Sequence, residues 1–391
     1  MSVKGVHFLD VGSARWYQLH LDLITKAAEN LKFKQLIPPV IAEQSLFENT
    51  INGSTIVQKE MFSIHSPSQE RLVLRPEGTA LVADYLLHHG KLRHTEPQRY
   101  WYAGPMFRYE RPQKGRFRQF YQVGIESFCV SPLLQELEIL TLTWKVMQET
   151  GLQNTVTLEI NSLGTSEECK LYTELLVAYL LTCELTESQK ETLLKNPLRC
   201  LDTKDPYLLQ QLNQAPKITD YVDQSHLLSL VAILEAHKIP VAINPLLVRG
   251  LDYYCHTVFE WKLQGEALGT QNTICAGGRY DTIFRGLNGE TSVNAMGCAF
   301  GMERLCSVSK LEVPVVPKPI YLFAYTEADL IDAFMLQQED SRIYFEDKLL
   351  SYKSHLKRAD RKTRVIYMHK GQIHDASNHE LLSRSSLNID T

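Results

Sequence analysis

The chain is 391 residues long, 44% hydrophobic and 22% charged, the profile of a globular protein with two or three domains. A formal net charge of −4 excludes coating of nucleic acid by bulk charge, so any polyanion must meet local basic patches. The longest apolar run, Leu175 to Leu181, falls well short of the ~20 residues that span a bilayer, and the opening MSVKGVHFLD lacks the pattern of a signal peptide. Eight cysteines without a CxxC pair read as reduced thiols, not as disulfides or zinc ligands, which points to a cytoplasmic protein with no bound metal.

In chain order, Trp16, Leu19, Leu23, Ala27 and Leu31 recur at helical spacing and predict an amphipathic helix over 14–32. LIPPVIAE follows and is expected to be extended, because each proline disfavours helix in the residue before it. From about 71 to 130, short apolar runs alternate with Gly, Pro and Arg-rich turns, the pattern of antiparallel strands joined by loops. Glu136 to Glu149 reads as helix and 156–161 as a strand. The polar, leucine-rich stretch of roughly 165–235 reads as a helical insertion. Strand patterns return at 240–262, 272–276 and 296–300, the last running into a helix at Gly301. VPVVPKP at 313–319 is the expected linker between a first domain, 1–312, and a second, 320–391. That second segment shows a strand (IYLFAY), a basic helix, another strand (RVIYM) and a polar tail with no convincing strand.

The residues that point to chemistry concentrate in 107–126, FRYERPQKGRFRQFYQVGIE. Apolar strand residues bracket PQKGR, whose proline and glycine suit a turn. Arg108, Arg111, Lys114, Arg116 and Arg118 stand against one acid, Glu110, and arginine's planar fork suits phosphate or carboxylate. On the following strand Gln122 and Glu126 share a face, an amide and a carboxylate able to hold a small cationic ligand. A surface hairpin with ordinary salt bridges accounts for the same spacing equally well. Arg75 and Glu77 lie inside the apolar frame of LVLRPEGTA, so each is either paired structurally or facing a site. LLVRGLDYYCHTVFEW sets Arg249 and Asp252 among apolar and aromatic neighbours, with Tyr253 and Tyr254 adding hydroxyls. CAGGRYD offers two glycines for close backbone approach, then Arg279 and Tyr280. GCAFGMERL passes from strand to glycine to helix and carries Arg304. Together these describe a pocket with several arginines, few acids, aromatic walls and no metal-ligand cluster, suited to stabilising phosphoryl transfer by positioned positive charge. The sequence has no G-x-x-x-x-G-K-[ST] loop, which argues against a P-loop site.

In their order, LRPEGTA, FRYERPQKGRFRQFYQVGIE, LVRGLDYY, AGGRYD and GCAFGMERL resemble the histidyl-tRNA synthetases, a family of class II aminoacyl-tRNA synthetases. The likeness runs from about residue 4 to 310 and includes NPLRCLD (196–202) and APKITDYVD (215–223). The arginine-rich loop and the arginine of GMERL are shared across class II, whereas RGLDYY and GGRYD point to histidine. The resemblance implies an α+β fold: an antiparallel sheet flanked by helices, the helical insertion, and a small, shortened α/β carboxyl-terminal domain. It also implies a homodimer formed partly through the segment near LIPPV. The implied activity is that of a histidine–tRNA ligase. L-Histidine and ATP, brought as its Mg2+ complex, would give histidyl-adenylate and pyrophosphate, and histidine would then pass to tRNA(His). By the same resemblance, Arg108 would touch the α-phosphate and the histidine carboxylate, with Glu110 and Phe120 near the adenine and Arg116 and Arg304 on the outer phosphates. Arg249 would neutralise charge at the reacting centre. Glu77, Thr79 and Gln122 would bind the α-amino group, Glu126, Tyr254 and Tyr280 would surround the imidazole, and Gly78 and Tyr253 would complete the histidine site. Arg111, Gln113 and Arg118 would face the tRNA acceptor end. The imidazole roles make physical sense: a carboxylate accepts from one ring nitrogen while a tyrosine hydroxyl engages the other, and apolar amino acids would leave these groups unpaired.

A non-catalytic relative, the regulatory subunit of ATP phosphoribosyltransferase, resembles the same ligases, lacks an anticodon-binding domain and senses histidine without activating it. A sensor needs the histidine pocket but not Arg116, Arg304 or an intact tRNA-facing loop, so their presence favours the ligase. The carboxyl-terminal segment departs from the ligase pattern. Only 76 residues follow Val315, the first helix reads as clipped and the sheet as incomplete. LLSYKSHLKRADRKTRVIYMHKGQ still resembles the anticodon-binding domain's basic helix and the strand after it. Seven Lys or Arg residues between Lys348 and Arg364, against Asp360 alone, leave a means of gripping a tRNA backbone.

Overall fold

The computed structural model describes residues 3–387 apart from 52–53, 93–95, 204, 249–250, 252, 266–271, 289–291, 312–318, 341, 360–362 and 384–386. The chain divides into two compact units, Met1–Leu311 and Glu312–Thr391. All of the expected linker except Pro319 lies outside the described residues.

The first unit opens with α1 (Val11–Asn30), which buries His20, Ile24, Ala27 and Ala28 along one stripe and is capped by Asp10, accepting the Ser13 backbone N–H at 2.8 Å. β1 (Lys34–Gln35) follows, and 36–40 carries no regular element, as its prolines require. β2 (Ile41–Glu43), β3 (Phe62–Ile64) and β4 (Leu72–Leu74) form a small antiparallel sheet in the order β2-β4-β3, with α2 (Gln44–Thr50) between the first two. The stretch read as strands and loops also holds a helix, α3 (Thr79–His88). Ala80, Leu81, Val82, Ala83 and Leu86 are all buried, so the helix is covered nearly all round and shows no amphipathic period to read.

β5 (Gln98–Phe107) and β6 (Gln119–Phe128) form a long hairpin, followed by α4 (Pro132–Glu149) and β7 (Val156–Ser162). The helical stretch contains α5 (Ser166–Leu180), α6 (Glu187–Lys195), α7 (Pro206–Leu212) and α8 (Ser225–Ala236). Tyr172, Leu176, Leu193, Cys200 and Leu208 build a second core together with Leu163, Leu247 and Val258, whereas Leu227, Leu230 and Leu234 of α8 join the main core. The part of the insertion that packs on this second core therefore ends before Ser225. The strand pattern of 240–262 resolves into β8 (Val241–Ile243) and β9 (Cys255–Leu263), and then come β10 (Thr273–Arg279), α9 (Ile283–Asn288), β11 (Ala295–Gly301) and α10 (Met302–Val308).

Eight strands make the main sheet, in the order β1-β5-β6-β11-β10-β9-β7-β8. Pairing is antiparallel except at the two edges, where β1 joins β5 and β8 joins β7 in parallel. Period-two alternation assigns the two faces. Val123, Ile125, Cys298, Phe300, Phe259 and Trp261 pack on one face with residues of α1, α4, α8 and α10. Their neighbours Gln122, Ala299, Gly301, Glu260 and Lys262 line an open cleft on the other.

In the second unit, β12 (Ile320–Ala324), α11 (Glu327–Glu339), β13 (Ile343–Phe345), α12 (Tyr352–Arg358), β14 (Arg364–His369), β15 (Gln372–Asp375) and β16 (Leu381–Leu382) form a five-stranded mixed sheet with two helices, ordered β13-β12-β14-β15-β16. One sheet face is aliphatic, under Ala333 and Leu336 of α11. The other is aromatic, with the buried His355 ring stacked 4.1 Å from Phe323. Two expectations change. The first helix is not clipped but runs 13 residues, and the tail contributes a strand, β16, only two residues long. Among the described residues no helix is long and apolar enough to cross a membrane, and none of the eight cysteines forms a disulfide.

Candidate active site

The cleft on the open face of the main sheet encloses about 740 Å3. Its phosphate-suited end begins at the β5–β6 loop. Gln113 and Arg116 exchange backbone hydrogen bonds of 3.1 and 2.9 Å around Lys114 and Gly115, a tight turn that Gly115 permits at φ +72°. Arg108 donates Nε to the Pro76 carbonyl at 2.9 Å and lies 5.3 Å from the Phe120 ring centroid, leaving its outer nitrogens toward the cleft. Arg116 pairs with Glu110, and both line the cleft. From α10, Arg304 donates Nε to the Gly115 carbonyl and Nη1 to the Thr273 carbonyl, both at 2.9 Å. Burial and the neighbouring Arg116 guanidinium hold its pKa below the ordinary arginine value.

At the other end, buried Glu126 stands on β6 and gathers three hydroxyls. Thr79 donates at 2.7 Å and Tyr102 at 3.3 Å to Oε1, and Tyr280 donates to Oε2. Burial pushes the Glu126 carboxyl up to about 8, against the pull of the Tyr280 and Thr79 hydrogen bonds. Its cross-strand partner is Gly297, and a Cβ there would lie 1.8 Å from Oε2. Gly124 similarly makes room for the Tyr102 ring, 2.1 Å from where its own Cβ would sit. Tyr253, Tyr254 and Tyr280 form an aromatic wall with centroids 4.8 to 6.3 Å apart. Glu77 accepts the backbone N–H groups of Thr79 and Ala80 at 2.7 and 2.9 Å, which anchors the start of α3. Burial raises Glu77 above the usual carboxylate range, partly offset by those bonds and by Arg108.

Of the histidine-side residues expected from sequence, Glu77, Thr79, Arg108, Gln122, Tyr253 and Tyr254 line the cleft. Glu126 and Tyr280 lie just behind its wall, joined to it through Thr79 and Tyr102. Gly78 packs against Tyr102, where a Cβ would approach to 2.3 Å. Glu110, Arg116, Phe120 and Arg304, expected on the ATP side, also line the cleft, at its arginine-rich end. Arg249, Gly250 and Asp252 lie outside the described residues. In the loop, Arg111 and Gln113 are exposed, whereas Arg118 is partly buried, stacked 3.8 Å from the Tyr109 ring centroid.

The choice left open for Arg75 and Glu77 resolves in opposite senses. Arg75 is buried and structural, its Nη1 on the Pro38 carbonyl at 2.7 Å and its Nε on the Pro105 carbonyl at 2.9 Å, while Glu77 faces the site. Arg279 is also structural, held to Asp281 and to Gln135. The expectation of few acids is wrong: six carboxylates line the cleft beside five cationic side chains. Glu60, Asp202, Glu260 and Glu303 arrive from separate segments, so no single motif displayed them. Burial raises Glu303 to about 7 while it accepts the Tyr121 N–H at 2.8 Å. Tyr102 and Arg199 were also missed. The glycines at 78 and 124 make room for Tyr102, but only strand register brings Gly124 opposite it and only the packing of α3 brings Gly78 there. Arg199 reaches the cleft from the insertion, and its buried Nη1 has no hydrogen-bond partner among the described residues.

The family model for histidyl-tRNA synthetase matches residues 5–193 and 176–305. Among solved structures, the apo histidyl-tRNA synthetase of Staphylococcus aureus is similar at 23% identity, with a TM-score of 0.77, over 99% of this chain and 98% of that one. A Bacillus halodurans protein described as an ATP phosphoribosyltransferase regulatory subunit/histidyl-tRNA synthetase is similar at 16% identity and TM-score 0.66, over 94% and 98% of the two chains. The histidyl-tRNA synthetase of Nostoc sp. PCC 7120 is similar at 17% identity and TM-score 0.64, over 100% and 98%. With the family model covering three quarters of its length, and its fold that of these synthetases, the chain belongs to the histidyl-tRNA synthetase family.

Proposed function

We propose that this chain is a histidine–tRNA ligase, which activates L-histidine with ATP and transfers it to tRNA(His). One observation carries the reading: a single cleft joins the carboxylate–tyrosine pocket to Arg108, Arg116 and Arg304. At about 740 Å3 that cleft is far larger than a free amino acid requires, and its far end offers donors suited to a polyphosphate.

Histidine enters with its imidazole toward Glu126 and Tyr280 and its α-amino group toward Glu77, Thr79 and Gln122. Arg108 holds the carboxylate against the α-phosphate, and Arg249 offsets the charge that builds as they join. Arg116 and Arg304 hold the departing pyrophosphate, and the adenine packs by Phe120 and Glu110. Magnesium comes with the ATP. Glu260 and Glu303 give the cleft oxygen donors of the kind that cation takes. The exposed Arg111 and Gln113 face the acceptor end of the tRNA, with Arg118 supporting the loop. Exposed Phe8, Val11, Ile37 and Ile41 suit burial in a homodimer.

A second reading has one specific support, the similarity to the Bacillus halodurans protein whose description names a regulatory subunit. Histidine-dependent exchange of pyrophosphate into ATP separates the two. The ligase gives exchange. A purified protein that binds histidine, gives none, and stimulates ATP phosphoribosyltransferase is a sensor.

A further inference from the structure

Behind the tyrosine wall, Cys255, His256 and Asp281 bring a sulfur, an imidazole nitrogen and a carboxylate oxygen to within 4.8 Å of one another. No sequence spacing announces this group. Two neighbours in the chain meet an aspartate 25 residues on, across a break in the β9–β10 ladder. Pairing steps from Gly278↔Val258 directly to Arg279↔Cys255, so His256 and Thr257 bulge out of register. Consecutive strand residues ordinarily point to opposite faces. Here His256 adopts φ +49°, a left-handed conformation costly for a residue with a Cβ, and the turn it makes lets Cys255 and His256 converge.

We propose that Cys255, His256 and Asp281 form a binding site for a borderline-soft divalent cation of the Zn2+ type. The donor set is one that such an ion prefers, a thiolate, an imidazole and a carboxylate, with a fourth position for water. The surroundings hold two of the donors. Burial and the Asp281 carboxylate push the Cys255 thiol up to about 12, against backbone N–H groups of Asp281 and Thr282 that hydrogen-bond toward its sulfur, so the dication itself must displace the proton. Arg279 Nη2 holds both Asp281 oxygens, at 2.9 and 2.8 Å, and the Ala295 N–H binds Oδ1 at 2.8 Å, which leaves Oδ2 the less engaged.

Arg279 already offsets Asp281, so a dication with one thiolate adds a single positive charge. Zinc–ligand bonds of about 2.0–2.3 Å put tetrahedral donors roughly 3.3–3.8 Å apart, so the group must contract by about 1 Å. The partly exposed side chain of His256 can rotate toward the held Asp281 to do so. Cys255 directly follows Tyr254, and Asp281 directly follows Tyr280. A bound ion would therefore staple the two strands that carry these tyrosines, at the point where their own ladder is broken.

The test is cobalt substitution in the full chain after chelator treatment. We expect one equivalent of Co2+ to give visible bands of tetrahedral intensity with a near-ultraviolet thiolate-to-metal band, and Zn2+ to displace it. Cys255→Ser and His256→Gly should each abolish the thiolate band. Glycine adopts φ +49° without strain, so His256→Gly should melt no lower than the metal-free parent and serves as the folded control. A parent that takes up no sulfur-ligated cobalt overturns the site, as does a band that survives either substitution. The readout is independent of pyrophosphate exchange, so this proposal and the ligase reading stand or fall separately.

Discussion

The two ends of the cleft are built on different principles. At the imidazole end, Glu126, Tyr102 and Tyr280 are each 1% exposed and already bonded to one another, and neighbouring glycines leave only enough room for them. At the arginine-rich end, Arg108 and Arg304 are tied by one or two nitrogens to backbone carbonyls, while Arg116 pairs with Glu110 and its side chain is 43% exposed. On the proposed reading, the first end would gain selectivity from rigidity, because a wrong ligand would leave buried polar groups unpaired. The second would act through positioned charge and still adjust as phosphates enter and leave.

The largest effect that would break this comparison concerns Arg249. If it serves the chemistry, Arg249→Ala should slow pyrophosphate exchange by about 10²–10³-fold and leave the melting temperature nearly unchanged. A large fall in melting temperature with a proportionate loss of rate would make it a structural ion pair, and the catalytic assignment would go. Next in size is a matched pair of glycines. Gly297→Ala forces a Cβ to 1.8 Å from Glu126 Oε2 and 2.6 Å from the Ile125 carbonyl, whereas Gly301→Ala meets nothing nearer than 3.8 Å. The first should cost about 1–3 kcal/mol of stability and most of the histidine affinity, the second little of either. Denaturant melts and histidine titrations check both, and equal tolerance at the two positions would mean the imidazole end is not rigid.

A third effect, of order a few kcal/mol at most, is a pH dependence of stability. The folded-state value of Glu126, about 8, stands above its ordinary 4.5, so the contribution is fully present below about 4.5 and is lost as pH rises through about 8. Glu126→Gln should therefore melt progressively higher relative to the parent between pH 5 and 8, with the difference levelling above. A flat difference would show the carboxyl ionised throughout. The smallest effect on activation should come from removing 312–391, a unit with its own core. Exchange should persist while aminoacylation weakens, and tRNA affinity should lose part of its salt dependence. That basic patch is smaller than the sequence suggested, since Arg358 pairs with Glu346 and Arg364 with Asp375. An anticodon change in the tRNA should matter little, and a severe loss on that change would make this unit a reader of bases.

What the sequence displayed was whatever one segment could show alone. The β5–β6 hairpin with its arginine turn, the strand face shared by Gln122 and Glu126, and the strand-to-helix step at Gly301 are all local patterns, and they lie where those patterns put them. What stayed hidden needed register or packing. Arg75 and Glu77 look equivalent two residues apart, but only the position of the proline carbonyls separates a structural charge from a site-facing one. Helix α3 is buried too evenly to show a period, α8 reads as part of the insertion although its leucines complete the main core, and β16 is too short for any alternation. Six acids in the cleft come from scattered positions, which no motif could gather.

Arg75 has a mechanical consequence. One planar group bridges the carbonyls of Pro38 and Pro105, and it sits two residues before the carboxylate that anchors α3. The surface just beyond those prolines carries Ile37, 80% exposed, and Ile41, 50% exposed. A body resting on these isoleucines would therefore sit on a segment tied to the start of α3 twice over, by the Arg75 guanidinium and by the Ile41–Leu74 pairing of β2 with β4.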